Sequence, residues 1–249
     1  MQVQILYCDN HVLVVQKPHG MPTQADESRD PDLLESAKQL VKQRFNKPGN
    51  VFLGLLHRLD RPAGGLLVLA RTSKAASRLS DQFRRRIPLK RYFAIVERAV
   101  DEADGLCEDY LRKDSIKRKT FRVPAGSKDA KYARLQWQKL ATAQGLSLLE
   151  VALDTGRPHQ IRAQLAARGM PLLGDFKYGA EQQFLGGRGV ALFSFAVGVL
   201  HPVGGAPLTV KQAPGEEWGA LFAAEIREHV AGFNADDVLQ AGTDATGLS

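Results

Sequence analysis

A polar loop between two apolar runs is the feature that most constrains how this chain can fold. The runs 51–56 (VFLGLL) and 66–70 (LLVLA) have the length and composition of buried strands. Asp60 lies in the polar segment between them, with Arg58 before it and Arg61 after it. Because a polar connection between buried strands emerges at the edge of a core, the sequence predicts a loop that can hold functional side chains.

The spacing of apolar residues elsewhere predicts both strands and amphipathic helices. Alternation predicts a hairpin over residues 3–17 and further strands at 89–97, 131–140, 147–153 and 190–199. Helical spacing and capping residues predict helices from Asp30-Pro31 to near Phe45, from Thr72 or Ser73 through Phe83, from near Pro158 to Gly169, and across 218–226. Beyond about Asn234 the residues are small and polar, which predicts a frayed tail. With no internal repeat or low-complexity linker, the sequence predicts no boundary between separately folding domains.

The charge of the chain favours a polyanionic partner. Lys and Arg number 34 against 27 Asp and Glu, which gives a net charge of +7 and a pI near 9.5. Residues 58–91 hold ten basic residues against two acids, and residues 112–122 hold six against one. A solvated helix face is the simpler interpretation of such a run, but its adjacency to the Asp60 loop favours a surface that contacts phosphates.

Cysteine usage and hydropathy narrow the class of protein. Cys8 and Cys107 are far apart and lack metal-ligand spacing, which predicts a reduced cytoplasmic protein. The N-terminal residues lack the basic and apolar regions of a signal peptide, and no apolar run is long enough to span a bilayer. Secretion and membrane insertion are therefore not expected.

Four motifs in order resemble those of the RluA-type RNA pseudouridine synthases. The segment HRLDRPAGGLLVLA at 57–70 resembles the family pattern HRLDxxTSGLLL. The others are KPxG at 17–20, KxY at 90–92, and TGRxHQIR followed by GDxxYG within 155–179. Because the match spans roughly residues 5–202 and keeps the order of the motifs, it is far more specific than any single motif.

The resemblance implies a catalytic domain of mixed α+β structure, with a largely antiparallel sheet, flanking helices and a central cleft. This pseudouridine synthase-like domain is expected to cover residues 1–213, and residues 214–249 to form a C-terminal helix and a flexible tail. No S4-like RNA-binding module and no obligatory protein partner are expected. The protein is expected to be a monomer that recognises RNA through the basic face of its own catalytic domain.

The resemblance also implies roles for individual residues in the isomerisation of uridine to pseudouridine in ribosomal or transfer RNA, a reaction that is expected to need no metal and no other cofactor. Asp60 is the implied nucleophile, Tyr92 stacks on the flipped uracil, and Arg162 pairs with Asp60 to keep it ionised. Arg58 occupies the space that the base leaves in the RNA, and stacking of the extruded base supplies about 1 to 3 kcal/mol. The other residues expected at the substrate or RNA are His57, Arg61, Arg84, Arg85, Arg86, Lys90, Arg157 and His159, the two histidines as hydrogen-bonded positioning groups rather than general bases.

These assignments have structural alternatives. Asp60 could cap a turn, Tyr92 could lie at the edge of the core, and Arg162 could belong to a structural ion pair. Asp175 is interpreted as a turn residue, and residues 177–178 as residues that brace their loop. For the whole protein, the alternatives are a non-catalytic RNA-binding or ribosome-assembly factor, and a glycoside hydrolase that would need Asp175 and Asp60 across one cleft.

Two departures from the family pattern lie close to the motifs. Ala63, Gly64 and Gly65 stand where the family has TSG, so two hydroxyls are missing beside Asp60. Residues 192–194 (LFS) stand where the family has an LHA-like stretch. The first departure predicts a more flexible loop and, in the extreme, a protein that binds RNA without turnover.

Overall fold

The computed structural model describes residues 3–234 and divides into two compact units. The first unit comprises the chain up to Leu89, Ser194–Gln212 and the described residues from Gly232 onward. The second comprises Lys90–Phe193 and Ala213–Ala231. The predicted boundary after residue 213 lies next to a point where the chain passes from the first unit to the second. The predicted frayed tail lies outside the described residues.

The first unit is built on antiparallel strands that bring two loops to the same edge. β1 (Gln4–Cys8) and β2 (Val12–Lys17) form the predicted hairpin. β2 also pairs with β4 (Gly64–Ala70), and Lys17 at the end of β2 lies opposite Gly65 at the start of β4. The loop after β2 and the loop before β4 therefore leave the sheet side by side.

The strands around the predicted loop differ in length from the prediction. β3 (Gly54–Leu55) pairs with β4 but keeps only two of the six residues predicted as the strand before the loop. The glycines at 64 and 65 belong to β4 itself, and Gly65 has a φ of +115°. A Cβ on Gly65 would lie 2.3 Å from the backbone nitrogen of Ser194, so glycine is required there both for conformation and for space. Ser194 belongs to β10 (Leu192–Leu200), which pairs with β11 (Pro207–Lys211).

Two helices complete the first unit. α1 (Leu33–Arg44) starts later than the predicted Asp30-Pro31 start, because the carboxylate of Asp32 is the group that caps it, accepting a backbone hydrogen bond at 3.0 Å. α2 (Ser73–Arg85) begins as predicted, with Thr72 as its N-cap. The aliphatic core of this unit includes Val12, Val14, Leu66, Val68, Ala75, Leu79, Val197 and Val199.

The second unit contains a five-stranded antiparallel sheet. Its strands are β5 (Leu89–Val96), β6 (Asp104–Asp114), β7 (Lys119–Val123), β8 (Lys131–Ala143) and β9 (Leu146–Leu153). They pair in the order β5-β9-β8-β6-β7. Every strand pairing described within the two units is antiparallel, which confirms the predicted mixed α+β class with a largely antiparallel sheet.

The helices of the second unit are shorter than predicted. α3 (Gln160–Ala166) begins two residues after the predicted start, because His159 adopts a left-handed backbone conformation with φ 52°. α4 (Ala223–Gly232) follows a separate 3₁₀ turn (Glu216–Trp218), which Gly219 ends at a φ of 76°. The helix predicted from residue 218 is therefore divided in two. Within residues 3–234 no helix has the length and apolar character needed to cross a membrane.

Candidate active site

Asp60 lies in a tight turn between β3 and β4. The Ala63 amide donates to the Asp60 carbonyl at 3.0 Å and closes the turn. The side chains of Leu59 and Ala63 are buried, Asp60 is half-buried, and Arg58 is exposed. Apolar side chains thus anchor the turn on both sides of Asp60 while Arg58 stays at the surface.

Three hydrogen bonds to backbone carbonyls fasten this loop to the segment that follows β2. The Arg61 carbonyl accepts from the Gly20 amide at 2.9 Å and from Lys17 Nζ at 3.1 Å. The Leu59 carbonyl accepts from the Thr23 hydroxyl at 2.8 Å. Because the acceptors are carbonyls, the attachment does not depend on the side chains at 59 and 61. The backbone is fixed immediately before and immediately after the central carboxylate.

Lys17 is completely buried at the base of the loop. Besides Arg61, its Nζ donates to the carbonyls of Pro18 at 2.9 Å and Met21 at 2.7 Å, so three carbonyls match the three donors of an ammonium. Burial lowers the pKa of Lys17 to about 7, the negative charge of Asp60 opposes that shift, and the positive charge of Arg61 adds to it. The KPxG motif marks this lysine in the sequence, but its burial and its link to Asp60 emerge only from the fold.

The Arg61 side chain is engaged within the protein. It forms ion pairs with Asp30 and, at 3.7 Å, with Asp26, and its Nε donates to the Gly20 carbonyl at 3.1 Å. The hydrogen bond from Arg61 lowers the pKa of Asp30. Since these charges are partly exposed, water screens them, and the contacts orient Arg61 more than they stabilise the fold. Arg61, which is expected to contact RNA, thus also braces the Asp60 loop.

His57 supports the start of the loop from the α2 side. Its Nε2 accepts a hydrogen bond from the Val68 amide at 3.0 Å. Its ring stacks on Phe83, with 4.8 Å between the ring centroids. An imidazole nitrogen that accepts a hydrogen bond carries no proton, so Nε2 of His57 attaches the side chain to the backbone of β4.

The basic end of α2 is at the surface. Arg84 pairs with Asp81 and Arg85 lies 3.8 Å from the same carboxylate, but their side chains remain 78% and 55% exposed. Arg86 ends the helix in a left-handed conformation and is also exposed. The three arginines form an accessible cationic surface of the first unit.

In the second unit, Tyr92 lies in β5 opposite Val151 of β9 and is 5% exposed. Lys90, two residues earlier in the same strand, is half-buried. The burial of Tyr92 matches the structural alternative of a residue at the edge of the core. A ring held in a strand in this way has little rotational freedom, which also suits a stacking platform.

Arg162 and Asp175 form a bidentate ion pair inside the second unit. Arg162 Nε lies 2.7 Å from Asp175 Oδ2, and a terminal guanidinium nitrogen lies 2.8 Å from Oδ1. The side chains are only 5% and 1% exposed, so water does not screen the pair. The sequence predicts that Asp175 belongs to a turn. Its backbone does form one, since its carbonyl accepts a hydrogen bond from the Tyr178 amide at 2.8 Å. Its carboxylate has the separate role of pairing with Arg162. An acid so enclosed is unsuited to the role that a glycoside hydrolase would require.

Tyr178, at the end of a 3₁₀ turn (Phe176–Tyr178), joins this region to the β6–β7 hairpin. Its hydroxyl accepts from the Thr120 amide at 2.8 Å and lies 3.0 Å from His159 Nδ1. Lys177 Nζ donates to the Arg118 carbonyl at 3.2 Å. The predicted bracing role of residues 177–178 is confirmed, and the element that they brace is the hairpin.

The ring of Tyr178 also lies near two cations. Lys119 Nζ is 4.7 Å from the ring centroid and Arg162 Cζ is 5.1 Å from it. Both distances are within the range of cation–π attraction. Tyr178 therefore links the hairpin to the guanidinium of Arg162.

Arg157 is tied to the same sheet. Its Nε donates to the Tyr132 carbonyl at 2.9 Å, and its amide donates to Gln160 Oε1 at 3.0 Å. The Thr155 hydroxyl donates to the same oxygen at 2.7 Å. These bonds fix the turn that leads into α3, so Arg157 positions the helix that carries Arg162.

The tip of the β6–β7 hairpin combines positive charge with an exposed apolar side chain. Asp114 Oδ1 accepts from the Lys117 amide at 2.9 Å and shapes the turn. Ile116, within that turn, is 96% exposed. The basic residues around it are Arg112, Lys113, Lys117, Arg118, Lys119 and Arg122.

The side chains described above include a carboxylate, aromatic rings and exposed cations. Among residues 3–234, no group of three or more His, Cys, Asp or Glu side chains is arranged to hold a metal ion. Asp60 offers a carboxylate on a rigid turn, and the exposed arginines and lysines offer contacts for phosphates.

Comparison with known proteins gives a consistent result. The profile described as RNA pseudouridylate synthase matches residues 11–167. An uncharacterized RNA pseudouridine synthase, YlyB of Bacillus subtilis, is 31% identical over 203 residues, which cover 81% of this chain. Ribosomal large subunit pseudouridine synthase D of Zymomonas mobilis is 31% identical over 212 residues, which cover 82% of this chain. The alignments cover 66% of the length of each of these two relatives.

Solved structures share the fold. Human RNA pseudouridylate synthase domain containing 4 superposes with a TM-score of 0.70 at 24% identity, covering 91% of this chain and 92% of that one. Human RNA pseudouridylate synthase domain containing 1 superposes with a TM-score of 0.67 at 21% identity, covering 97% and 95%. At these identities the similarity is one of fold.

Proposed function

Because the chain belongs to the RNA pseudouridylate synthase family, we propose that it isomerises uridines in structured RNA to pseudouridine, with Asp60 as the nucleophile. The observation that carries the proposal is that the matched region, residues 11–167, includes the fastened Asp60 turn together with Tyr92 and Arg162. The RNA is ribosomal or transfer RNA. The name of the Zymomonas mobilis relative makes ribosomal RNA the first to test.

The reaction proposed for Asp60 is balanced without any other reactant. The carboxylate attacks the ribose C1′ or the uracil ring, the N1–C1′ bond breaks, and the base rotates. A C5–C1′ bond then forms, C5 loses its proton, N1 gains one, and the carboxylate is released. Because substrate and product are isomers, the enzyme needs to supply orientation and exclusion of water rather than electrons.

Lys17 and Arg162 are the cationic groups that we assign to the surroundings of Asp60. Lys17 lies close enough for Asp60 to influence its pKa, and it is held by three carbonyls. From the family resemblance we also assign to Arg162 the role of pairing with Asp60. The bidentate contact with Asp175 would hold that guanidinium in a fixed orientation.

The remaining roles concern the RNA. Tyr92 stacks on the extruded uracil, and the exposed Arg58 enters the space that the base leaves. Phosphates are contacted by the arginines 84–86 at the end of α2 and by the basic tip of the β6–β7 hairpin, both of which are exposed. Such contacts make binding depend steeply on salt concentration.

Asp60→Asn is the test of this proposal. The variant and the parent are assayed for pseudouridine formation in RNA from a strain that lacks the enzyme, and RNA affinity is measured in parallel. We expect the variant to lose turnover by at least about a thousandfold while its affinity changes little, because Asn keeps the shape but not the nucleophile. Asp101→Asn, a change of the same chemistry at an exposed position, is the control and should match the parent.

The outcomes separate the proposal from its main alternative. If parent and Asp60→Asn are equally inactive on every RNA but both bind it, the protein is an RNA-binding or assembly factor. If the parent is active and Asp60→Asn retains that activity, Asp60 is not the nucleophile. Mapping pseudouridines across the transcriptome with and without the protein then identifies the uridine.

A further inference from the structure

The ring of His19 lies where a side chain on Gly64 would be. A Cβ added to Gly64 would be 2.4 Å from Cε1, 2.6 Å from Nδ1 and 3.0 Å from Nε2 of His19. The φ of Gly64 is outside the left-handed region, unlike that of Gly65, so its backbone would accept a side chain. What excludes a side chain at position 64 is the imidazole.

The segment that carries His19 is held firmly against the Asp60 loop. Pro18 is buried and its carbonyl accepts from Lys17 Nζ at 2.9 Å. On the other side, the Gly20 amide donates to the Arg61 carbonyl at 2.9 Å. His19 itself is half-buried, with its Nε2 enclosed. The backbone on both sides of the ring is therefore fixed, and the ring presses on the first residue of β4.

This contact explains how the loop keeps its shape without the motif that it resembles. In the family pattern a serine occupies the position of Gly64, where this chain has no side chain. We propose that His19 is a positioning residue, whose ring takes the place of the missing side chain at Gly64 and holds the end of the loop that presents Asp60. The inference rests on the proposed function, since it concerns the reaction of Asp60.

The physical argument is one of packing beside a flexible residue. Two successive glycines lower the cost of alternative backbone conformations, so the end of the loop at residues 64–65 is less restricted by its own backbone than the fastened part at residues 59–61. A gap of a fraction of an ångström forfeits much of the dispersion contact. Misplacement of a reacting group by about 1 Å can cost about a hundredfold in rate. A ring in van der Waals contact with Gly64 removes this freedom.

The experiment is a double-variant cycle of His19→Ala, Gly64→Ser and the two together. Single-turnover rate of pseudouridine formation, RNA dissociation constant and melting temperature are measured for each. We expect His19→Ala to slow the reaction on the order of tenfold with an unchanged dissociation constant, and Gly64→Ser to slow it on the order of a hundredfold through the clash. The double variant should be faster than either single variant, because serine then fills the space that the ring leaves.

The control is Gly49→Ser, the same chemical change in the first unit at a position where a Cβ meets nothing within 4 Å. It should match the parent. If Gly64→Ser does not fold, the comparison of the double variant with His19→Ala still tests whether His19 positions the loop. A double variant no faster than His19→Ala, or a His19→Ala variant at the parental rate, overturns the inference.

The failure of the proposed function is recognisable separately. A parent that forms no pseudouridine contradicts the proposed function, and the cycle is then read from the melting temperatures alone. Recovery of melting temperature in the double variant supports the packing of His19 on Gly64, and strictly additive changes overturn it.

Discussion

The Asp60 loop of the first unit and the Arg162–Asp175 pair of the second unit both carry residues that the proposed reaction uses, but they are held by different means. The loop is fastened through the carbonyls of Leu59 and Arg61, and its ion pairs are formed by side chains 43% to 48% exposed. The pair is fastened through its own side chains, which are 5% and 1% exposed. The loop therefore keeps its backbone position under many side-chain changes, whereas the pair depends on the identity of both residues.

Because the two regions are held differently, we expect substitutions in them to affect stability to different extents. A carbonyl acceptor is present whatever the side chain, so we expect side-chain substitutions at residues 59 and 61 to leave these backbone hydrogen bonds in place. A buried charge that loses its partner destabilises the fold directly. The following changes test this division, from the largest expected effect on stability to the smallest.

Asp175→Asn should destabilise the protein most. It removes the bidentate anion from a buried guanidinium, for which we expect a loss of about 3 to 5 kcal/mol in the free energy of unfolding, measured by urea titration. Asp81→Asn, which removes a carboxylate from exposed arginines, is the matched control and should leave the midpoint nearly unchanged. Equal small changes in both variants would remove the distinction between the two regions.

Lys17→Met should have an intermediate effect. It deprives the carbonyls of Pro18, Met21 and Arg61 of a donor, and we expect a loss of about 1 to 3 kcal/mol near neutral pH. Lys42→Met on α1, an exposed lysine, is the control.

The pH dependence of the same variant sharpens the prediction. The pKa of Lys17 is about 7 in the folded protein against its ordinary value of 10.5, so between these values the unfolded chain binds more protons. The unfolding free energy of the parent should therefore rise with pH across this window relative to Lys17→Met, by at most about 1.4 kcal/mol per pH unit. Parallel curves for the two proteins between about pH 6 and pH 10 would show that Lys17 does not titrate there.

Tyr178→Phe should have the smallest effect on global stability. It removes the acceptor of the buried Thr120 amide, at a cost of about 1 kcal/mol, and loosens the β6–β7 hairpin locally. Hydrogen exchange at the Thr120 amide is the measurement, and it should accelerate more than exchange elsewhere in β7. Tyr132→Phe, whose hydroxyl bonds to the exposed Glu108, is the control. Uniform acceleration in both variants would contradict a local role.

Sequence patterns predicted the elements well where they depend on local chemistry. The β1–β2 hairpin, α2 with its Thr72 cap, and β5, β8 and β9 follow from alternation and capping. The errors arise where a single backbone conformation or a tertiary contact determines where an element begins or ends. His159 delays α3 through its left-handed conformation, and Gly219 ends the 3₁₀ turn that precedes α4.

For the candidate site, the sequence identified residues but not their partners. The order of the motifs along the chain identified Asp60, Arg162 and Tyr178 as candidates. The partnership of Arg162 with Asp175 and the contact of His19 with Gly64 were not predictable, since the sequence does not state which of several carboxylates or loops comes close in space. Burial of Lys17 was missed because lysine is normally exposed.

The close approach of Gly65 to Ser194 has a consequence for the order in which the protein matures. The backbone that Gly65 rests on is translated 129 residues after it. At about 5 to 20 residues per second, a ribosome needs roughly 6 to 26 s to supply it. During that interval a nascent chain carries the whole HRLD motif without the support of Ser194 beneath it. The backbone support of the Asp60 loop is thus completed well after the loop itself has been synthesised.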